Sequence, residues 1–271
     1  MKIACMQVAP AAPDMVHSLA RLNDTAAQAK AAGCDLLVTP EMYLSGYNIG
    51  AARVLELAQT ADGPASAQVA DIARRHGLAI LYGYPQADPQ GGAPFNAVQL
   101  IDTAGARIAH YRKTHLYGDV DHAQFQAGHA RATVVSWNGW QIALAICYDI
   151  EFPELSRAYA LDGADLVLTP TANMIPYDGV ATRLVPARAE ENGIFVVYAN
   201  YCGSEGDFDY CGLSCVCAPD GRDIARAGRG PGLILADLDR AEIAQARASV
   251  RYLHDRRPEI YAETGTTRDD I

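Results

Sequence analysis

The chain has 271 residues, half of which are hydrophobic, and its 32 acidic and 22 basic side chains give a net charge of −10. This composition predicts a soluble protein with a sizeable core and excludes a general binder of nucleic acid or anionic membrane, because those partners need a concentrated positive field. No apolar run approaches the ~18 residues that cross a bilayer, and the N-terminus lacks the pattern of a signal peptide.

Strand-like and helix-like segments alternate along the chain. The predicted segments are, in order, a strand at 3–8, an alanine-rich helix at 15–32, a strand at 36–39, a helix at 66–76 and a strand at 78–84. Such alternation is typical of α/β layering. Since no linker or low-complexity segment divides the chain, we expect a single domain over residues 1–271, with a C-terminal tail from about 249 to 271.

A weak internal repeat indicates how these segments are arranged. AGCDLLVTPEM (32–42) is similar to DGADLVLTPTANM (162–174), and ARRHGLAILYG (73–83) is similar to RAEENGIFVVYAN (188–200). In the second pair a helix ends at a glycine and a strand follows, and a hairpin-like turn comes after each copy. Two such halves bury the apolar faces of their sheets against each other. We therefore predict a four-layer αββα sandwich with an internal pseudo-twofold repeat.

Three side chains with chemical potential follow predicted strands. Cys147 ends an apolar run, where α/β enzymes hold reactive groups, although a buried core cysteine is the alternative. Glu41 follows a very apolar strand, and partial desolvation would suit it to proton transfer, unless it simply faces solvent. Lys113 has aromatic and apolar neighbours, which favour a partly buried ammonium over a solvated one. Together they predict acyl transfer through a thioester, with the thiol converted to a thiolate by the base and the cation.

Three motifs in order connect these residues to a known family. TPEMYLSGYN (39–48), YRKTHLYGD (111–119) and CYDIEFPE (147–154) resemble the motifs of the nitrilase superfamily of carbon–nitrogen hydrolases. The resemblance extends from the first strand to DRRPEIY (255–261), nearly the whole chain. It implies an αββα sandwich that usually forms a homodimer or a higher oligomer, and a reaction that uses neither a cofactor nor a metal.

The resemblance also implies individual roles. Glu41 would be the general base, Lys113 the oxyanion stabiliser and Cys147 the nucleophile, with the backbone N–H of Tyr148 as a second oxyanion donor. Many members have a second glutamate in the loop after the lysine. The matching position here is Asp121, which is one methylene shorter, so its auxiliary role is either kept, lost or moved to Asp119.

A second departure concerns the substrate. Glu151 stands where many members have arginine, and its combination with PTANMIPYD (170–178) and VYANYCG (197–203) is similar to amino-amide amidases such as 5-aminopentanamidase. An acidic side chain beside the nucleophile would attract a substrate ammonium, whereas the alternative is that Glu151 caps or pairs within its turn. The repeat places a second loop opposite that of Glu41, and the pocket residues expected from this loop are Asn173, Met174 and Tyr177.

These observations predict a cytoplasmic cysteine-dependent amidase that acts on a small aliphatic amide, one that carries an amino group. Seven cysteines without disulfide density or zinc spacing favour a reducing compartment. The alternatives on the same fold are an N-carbamoyl amino acid amidohydrolase and a nitrilase. A catalytically idle binding protein is the alternative from a different class.

Overall fold

Two six-stranded mixed sheets form the centre of the computed structural model, which describes residues 1–11 and 14–261. The strands are β1 (Lys2–Gln7), β2 (Leu36–Val38), β3 (Ala79–Gln86), β4 (Phe95–Ile101), β5 (Arg107–Arg112), β6 (Val135–Trp137), β7 (Trp140–Leu144), β8 (Leu166–Thr171), β9 (Phe195–Asn200), β10 (Cys202–Glu205), β11 (Phe208–Cys211), β12 (Cys215–Cys217), β13 (Asp223–Arg226) and β14 (Gly232–Asp237). The first sheet has the order β14-β1-β2-β3-β4-β5 and the second β13-β12-β9-β8-β7-β6, while β10 and β11 form a separate hairpin.

Helices lie on the outer faces of both sheets. The helices of the described residues are α1 (Met15–Ala31), α2 (Ala51–Leu57), α3 (Pro64–His76), α4 (Gly118–Gln124), α5 (Pro153–Leu161), α6 (Val185–Glu190), α7 (Ala241–Ser249) and α8 (Pro258–Tyr261). A 3₁₀ turn spans Cys147–Glu151, and a π-helical turn spans Val180–Leu184. None of the helices in the described ranges is long and apolar enough to cross a membrane.

The side chains of β2 show how the layers form. Leu36 and Val38 belong to the core between the two sheets, whereas Leu37 belongs to the core under α1 and α3. This alternation follows from the pleat of a strand, which directs successive side chains to opposite faces. All three residues are fully buried because the sheet is covered on both sides. The predicted αββα layering is confirmed.

The internal repeat is visible in the strand pairing. Strands β1, β2 and β3 are parallel and are followed by the antiparallel pair β4 and β5. Strands β7, β8 and β9 repeat this order and are followed by the antiparallel pair β12 and β13. Both predicted hairpins are therefore present.

The two Thr-Pro segments lie opposite each other, but they differ in structure. Strand β2 ends at Val38, before its Thr-Pro pair, whereas β8 continues through Pro170 to Thr171. The two copies of the repeat therefore end at different points relative to Thr-Pro. The backbone N–H of Glu41 donates to the carbonyl oxygen of Thr171 over 3.2 Å, so the two loops are tied directly.

Two parts of the chain depart from the sequence pattern. The hairpin of β10 and β11 was not predicted, nor was the pairing of β14 with β1, which brings residues more than 200 positions apart into one sheet. The predicted tail from about 249 to 271 is described only as far as Tyr261, where α8 ends; residues 262–271 lie outside the described residues.

Candidate active site

Glu41, Lys113 and Cys147 each lie just beyond the C-terminal end of a strand. Glu41 follows β2 and Lys113 follows β5 in the first sheet, whereas Cys147 follows β7 in the second. Because the two sheets face each other, the loops after these strands meet at one end of the sandwich. The structure therefore brings together three residues that are far apart in the sequence.

A buried ion cluster forms the base of the site. The Nζ atom of Lys113 lies 2.7 Å from Oε1 of Glu41 and 2.7 Å from Oδ2 of Asp121, and the side chains of all three residues are shielded from solvent. Asn96 donates a further hydrogen bond of 2.7 Å to Oε1 of Glu41. The other carboxylate oxygen, Oε2, has no hydrogen-bond partner among the described residues. One oxygen of Glu41 thus fixes the carboxylate, and the other is available to accept a proton.

The cluster sets the protonation of its members. Burial raises the pKa of Glu41, and the charge of Asp121 raises it further against the opposing effect of Lys113. Burial alone would lower the pKa of Lys113, but the charges of Asp121 and Glu41 outweigh burial and hold it well above the usual value. Lys113 therefore stays an ammonium, while Glu41 is a stronger base than an exposed glutamate.

Cys147 is held in an unusual backbone conformation. Its φ of +47° lies in the left-handed region, which costs a non-glycine residue on the order of 1 kcal/mol or more unless the surroundings hold it. The residue is half-buried and begins the 3₁₀ turn. This sharp turn directly after β7 separates the thiol from the strand and exposes one side of it to a pocket.

The thiol is protonated at rest. Burial raises the pKa of Cys147, and the charge of Glu41 raises it further. The ammonium of Lys113 acts in the opposite direction without reversing the shift. Sulfur therefore gives up its proton only when a base takes it, and Glu41 is the base expected from the sequence.

A pocket of about 230 Å³ opens beside the thiol. Its lining residues are Tyr47, Tyr117, Cys147, Tyr148, Glu151, Ala172, Asn173, Met174 and Tyr177. Every residue that the sequence indicated for substrate binding is in this set. The amide of Asn173 donates 3.0 Å to the carbonyl oxygen of Tyr177, which stabilises the loop that carries both residues.

Glu151 offers an unpaired carboxylate to the pocket. Within the described residues, no hydrogen bond or ion pair to its side chain is found, so the alternative that Glu151 pairs within its turn is not what the structure shows. Its backbone carbonyl oxygen does accept a hydrogen bond of 2.7 Å from Arg188. Burial raises the pKa of the Glu151 carboxyl, while the charges of Lys113 and Arg188 lower it. A half-buried acidic group without a partner is a typical anchor for a cation.

Tyrosine rings form the wall around this carboxylate. The Tyr117 ring contacts the Tyr148 ring edge-on at a centroid distance of 5.4 Å and the Tyr177 ring edge-on at 6.0 Å. Aromatic faces attract cations, and this attraction grows when water is excluded. The pocket thus combines a carboxylate with π-systems, a favourable environment for an ammonium group.

The structure distinguishes the two candidates for the auxiliary acid. Asp121 is fully buried and contacts Lys113 directly, and its Oδ2 also accepts a hydrogen bond of 2.8 Å from the backbone N–H of Tyr117. Asp119 is exposed at the start of α4. The shorter side chain of aspartate therefore still reaches the lysine, because the backbone of α4 lies close enough.

Three site residues were not predicted from the sequence. Asn96 lies in β4 and reaches Glu41 only because β4 pairs with β3 beside the site. Tyr47 and Asp149 stand inside the motifs but were not selected. Among the residues that the structure describes, no group of histidine, cysteine, aspartate and glutamate is arranged to hold a metal ion.

Comparison with known proteins places this site in a family. The model of the carbon–nitrogen hydrolase family matches residues 2–248. A protein of Pseudomonas protegens named as a hydrolase in the pqqF 5' region is 52% identical over 96% of this chain and 90% of its own length. An (R)-stereoselective amidase from a Pseudomonas species is 36% identical over 95% of this chain and 92% of its own length.

Solved structures lead to the same family. The NitN amidase from Nesterenkonia sp. AN1 superposes with a TM-score of 0.83 at 38% identity, covering 96% of this chain and 98% of that one. In a glutamate-to-glutamine variant of that amidase, acrylamide has added to the active-site cysteine by Michael addition. The chain described here therefore belongs to the carbon–nitrogen hydrolase family of the nitrilase superfamily.

Proposed function

We propose that this protein is a cysteine-dependent amidase that hydrolyses a small aliphatic amide carrying an amino group, such as 5-aminopentanamide, to the carboxylic acid and ammonia. The observation that carries the proposal is that two features occur together. A buried Glu41–Lys113 cluster lies beside the Cys147 thiol, and an unpaired Glu151 carboxylate lines the pocket of the same thiol. Its volume of about 230 Å³ lies below the ~300–1,000 Å³ of sites for drug-sized ligands, which favours a small substrate.

The reaction begins with transfer of the thiol proton to Glu41. Sulfur of Cys147 then attacks the amide carbon, and the negative charge that develops on oxygen is stabilised by the ammonium of Lys113 and by the backbone N–H of Tyr148. When the tetrahedral intermediate collapses, the C–N bond breaks and ammonia leaves with the proton held by Glu41. An acyl thioester on Cys147 remains.

Hydrolysis of the thioester uses the same groups in the second half of the reaction. Glu41 accepts a proton from a water molecule, whose oxygen attacks the thioester carbon, and the acid leaves as the thiol is reprotonated. Asp121 supports both halves because its charge keeps Lys113 in the ammonium form. Each proposed proton transfer thus begins or ends on the carboxylate of Glu41.

The amino group of the substrate is assigned to the part of the pocket that Glu151 lines. There the Glu151 carboxylate would accept hydrogen bonds from an ammonium, and the tyrosine rings would face its positive charge. An N-carbamoyl amino acid carries a carboxylate instead, and none of the lining residues named above is basic. This charge pattern is why we prefer an amino amide to a carbamoyl substrate.

An ammonia-release panel tests the proposal. The wild type is assayed with 5-aminopentanamide, hexanamide, an N-carbamoyl amino acid and an aliphatic nitrile, with Cys147→Ala as the matched inactive control. We expect the highest kcat/KM for the amino amide and a loss of at least about 10⁴-fold in the variant, because nucleophile removal abolishes the covalent route. Ordinary turnover by Cys147→Ala, or a preference for the carbamoyl compound, contradicts the assignment.

The proposal also covers domain organisation, oligomeric state and location. A single domain is expected because no linker divides the chain, and a homodimer or higher homo-oligomer is expected from the family resemblance. The absence of disulfides among the seven cysteines supports a reducing cytoplasm as the location. Light scattering of the purified protein would test the dimer, since a monomer mass near 29 kDa contradicts it.

A further inference from the structure

The side chain of Asp149 has more hydrogen bonds than any role assigned so far requires. Its Oδ1 accepts from the backbone N–H of His115 at 3.0 Å, from the Thr114 hydroxyl at 3.0 Å and contacts Nδ1 of His115 at 2.7 Å. Its Oδ2 accepts from the backbone N–H of Ile146 at 3.0 Å and from the Tyr111 hydroxyl at 2.9 Å. The residue is fully buried, and both oxygens are saturated.

These partners come from two separate segments of the site. Tyr111, Thr114 and His115 flank Lys113 on both sides in the sequence, whereas Ile146 directly precedes Cys147. One carboxylate therefore links the segment that carries the lysine to the turn that carries the nucleophile. A buried carboxylate satisfied by this many donors fixes their relative positions, because moving either segment would leave charged or polar groups unpaired.

The proposed oxyanion site depends on that link. Its two donors are the ammonium of Lys113, from the first sheet, and the backbone N–H of Tyr148, from the turn after the second. Oxyanion stabilisation requires both donors about 2.7–3.1 Å from the position that the oxygen occupies in the transition state. Contacts between the two segments keep that separation constant, together with the Glu41–Lys113 ion pair and the bond from Glu41 to Thr171.

The opposite end of the turn has its own support. Arg188, which is buried, donates 3.0 Å to the carbonyl oxygen of Ile150 and 2.7 Å to that of Glu151. These bonds hold the turn to α6 but do not reach the Lys113 segment. Loss of the Asp149 link would therefore leave the turn folded and leave only ring contacts, His115 with Phe152 and Tyr117 with Tyr148, between it and the lysine segment.

We propose that Asp149 is a positioning residue that sets the distance between the two oxyanion donors, Lys113 and Tyr148, by tying their segments together. The inference rests on the proposed amidase function. Asp149 itself transfers no proton and need not touch the substrate. Its effect should therefore appear in reactions that pass through an oxyanion and not in reactions of the thiol that form none.

Alkylation by iodoacetamide supplies the second kind of reaction. Sulfur of Cys147 forms a bond to the methylene carbon as the carbon–iodine bond breaks, iodide leaves, and the thiol proton passes to Glu41 and then to solvent. No charge develops on the amide oxygen. Alkylation of Cys147, followed by mass spectrometry of its peptide, therefore measures the nucleophile without the oxyanion site.

The experiment compares Asp149→Asn with the wild type in both reactions. Asparagine has the same size, but its NH₂ group must face one of the backbone donors, His115 or Ile146, so one side of the link is lost. We expect kcat/KM for the amide to fall at least about 30-fold, since misplacement by 1 Å costs about 100-fold. The rate constant of alkylation should stay within about threefold of the wild type, because its transition state needs no oxyanion donor.

Asp165→Asn is the matched control. Asp165 is also buried, and it accepts 3.0 Å hydrogen bonds from the backbone of Gln141 and from Arg240, but it lies at the far end of β7 and β8. The control should lower the melting temperature without changing the ratio of the two rates. Equal losses of turnover and alkylation in Asp149→Asn, or turnover within threefold of the wild type, would overturn the proposal.

Aldehyde binding separates this inference from the function on which it rests. An aliphatic aldehyde adds to the Cys147 thiol as a hemithioacetal: the S–C bond forms, the C=O π bond opens, and the oxygen takes up the proton at the oxyanion position. Its affinity is measured as protection of Cys147 from iodoacetamide. An aldehyde affinity about tenfold lower in Asp149→Asn than in the wild type supports the positioning role, even if the wild type releases no ammonia from any amide. Unchanged protection contradicts the role.

Discussion

The substrate preference assigned to Glu151 can be tested by removing its charge alone. Glu151→Gln keeps the size of the side chain and one of its two acceptor oxygens, and it leaves the backbone bond to Arg188 in place. The wild-type carboxylate has no partner among the described residues, so the substitution breaks no bond of the folded protein. The change therefore acts on the ligand.

The size of the effect follows from the kind of contact that is lost. A hydrogen bond between charged groups contributes about 1.5–3 kcal/mol, about twice the contribution of a neutral one. Since each 1.4 kcal/mol is a factor of ten, loss of the contact should lower kcat/KM for an ammonium-bearing amide by about 10- to 150-fold. An uncharged amide of the same length should be affected little.

The assay is the ratio of kcat/KM for 5-aminopentanamide to that for hexanamide, in which a methyl group replaces the ammonium. Glu154→Gln serves as the control, because Glu154 lies three residues further along the same motif but is exposed and does not line the pocket. It removes the same charge from the protein. A ratio that is unchanged in Glu151→Gln, or that falls equally in Glu154→Gln, refutes the contact.

The pH dependence of this ratio provides a second check on Glu151. Burial raises the pKa of its carboxyl, against the opposing charges of Lys113 and Arg188, so the anionic form is lost at a higher pH than for an exposed glutamate. As pH falls through this raised pKa, the preference for the amino amide should decline in the wild type. In Glu151→Gln the ratio should not change over the same range.

Two substitutions test the remainder of the site. Asp121→Asn should lower the pKa of Glu41, because the charge of Asp121 raises it. The acidic limb of the kcat/KM profile should therefore move to lower pH, and kcat should fall about tenfold. A movement of this limb to higher pH contradicts the proposed cluster. Gly83→Ala would place a Cβ atom 3.1 Å from the carbonyl carbon of Glu41, too close for an unchanged backbone. We expect the free energy of unfolding to fall by about 1–3 kcal/mol and kcat to fall about 100-fold, because the backbone that carries Glu41 must shift. Gly232→Ala, with no atom within 4 Å of the added methyl, should change neither melting temperature nor ammonia release.

The layering was predictable because it depends on local patterns that occur twice. Each half contains the same apolar run before Thr-Pro and the same glycine after a helix, and Gly77 does adopt the left-handed conformation that ends α3. By contrast, β14 pairs with β1 through a register set at the edge of a finished sheet. The residues of β14 do not indicate this partner, because the pairing depends on which edge of the sheet is still open when the other strands have formed.

The same distinction applies to the site. The positions of Glu41, Lys113 and Cys147 could be selected because each follows a recognisable strand and carries a reactive group. The role of Asn96 could not, because its contact with Glu41 joins residues 55 positions apart and depends on the pairing of neighbouring strands. The protonation of Cys147 was also beyond the sequence, since it results from burial and opposing charges that only the folded structure fixes.

The charge of the buried cluster explains why the resting thiol suits this chemistry. With both carboxylates ionised, Glu41 and Asp121 surround a single ammonium, so the cluster already carries one excess negative charge in a region shielded from water. A thiolate at rest would add another where the dielectric is low, which costs far more than it would in water. In the proposed attack, the proton moves to Glu41 as negative charge moves through sulfur to the substrate oxygen near Lys113. The excess charge then stays constant throughout, and it is the substrate carbonyl that makes loss of the thiol proton favourable.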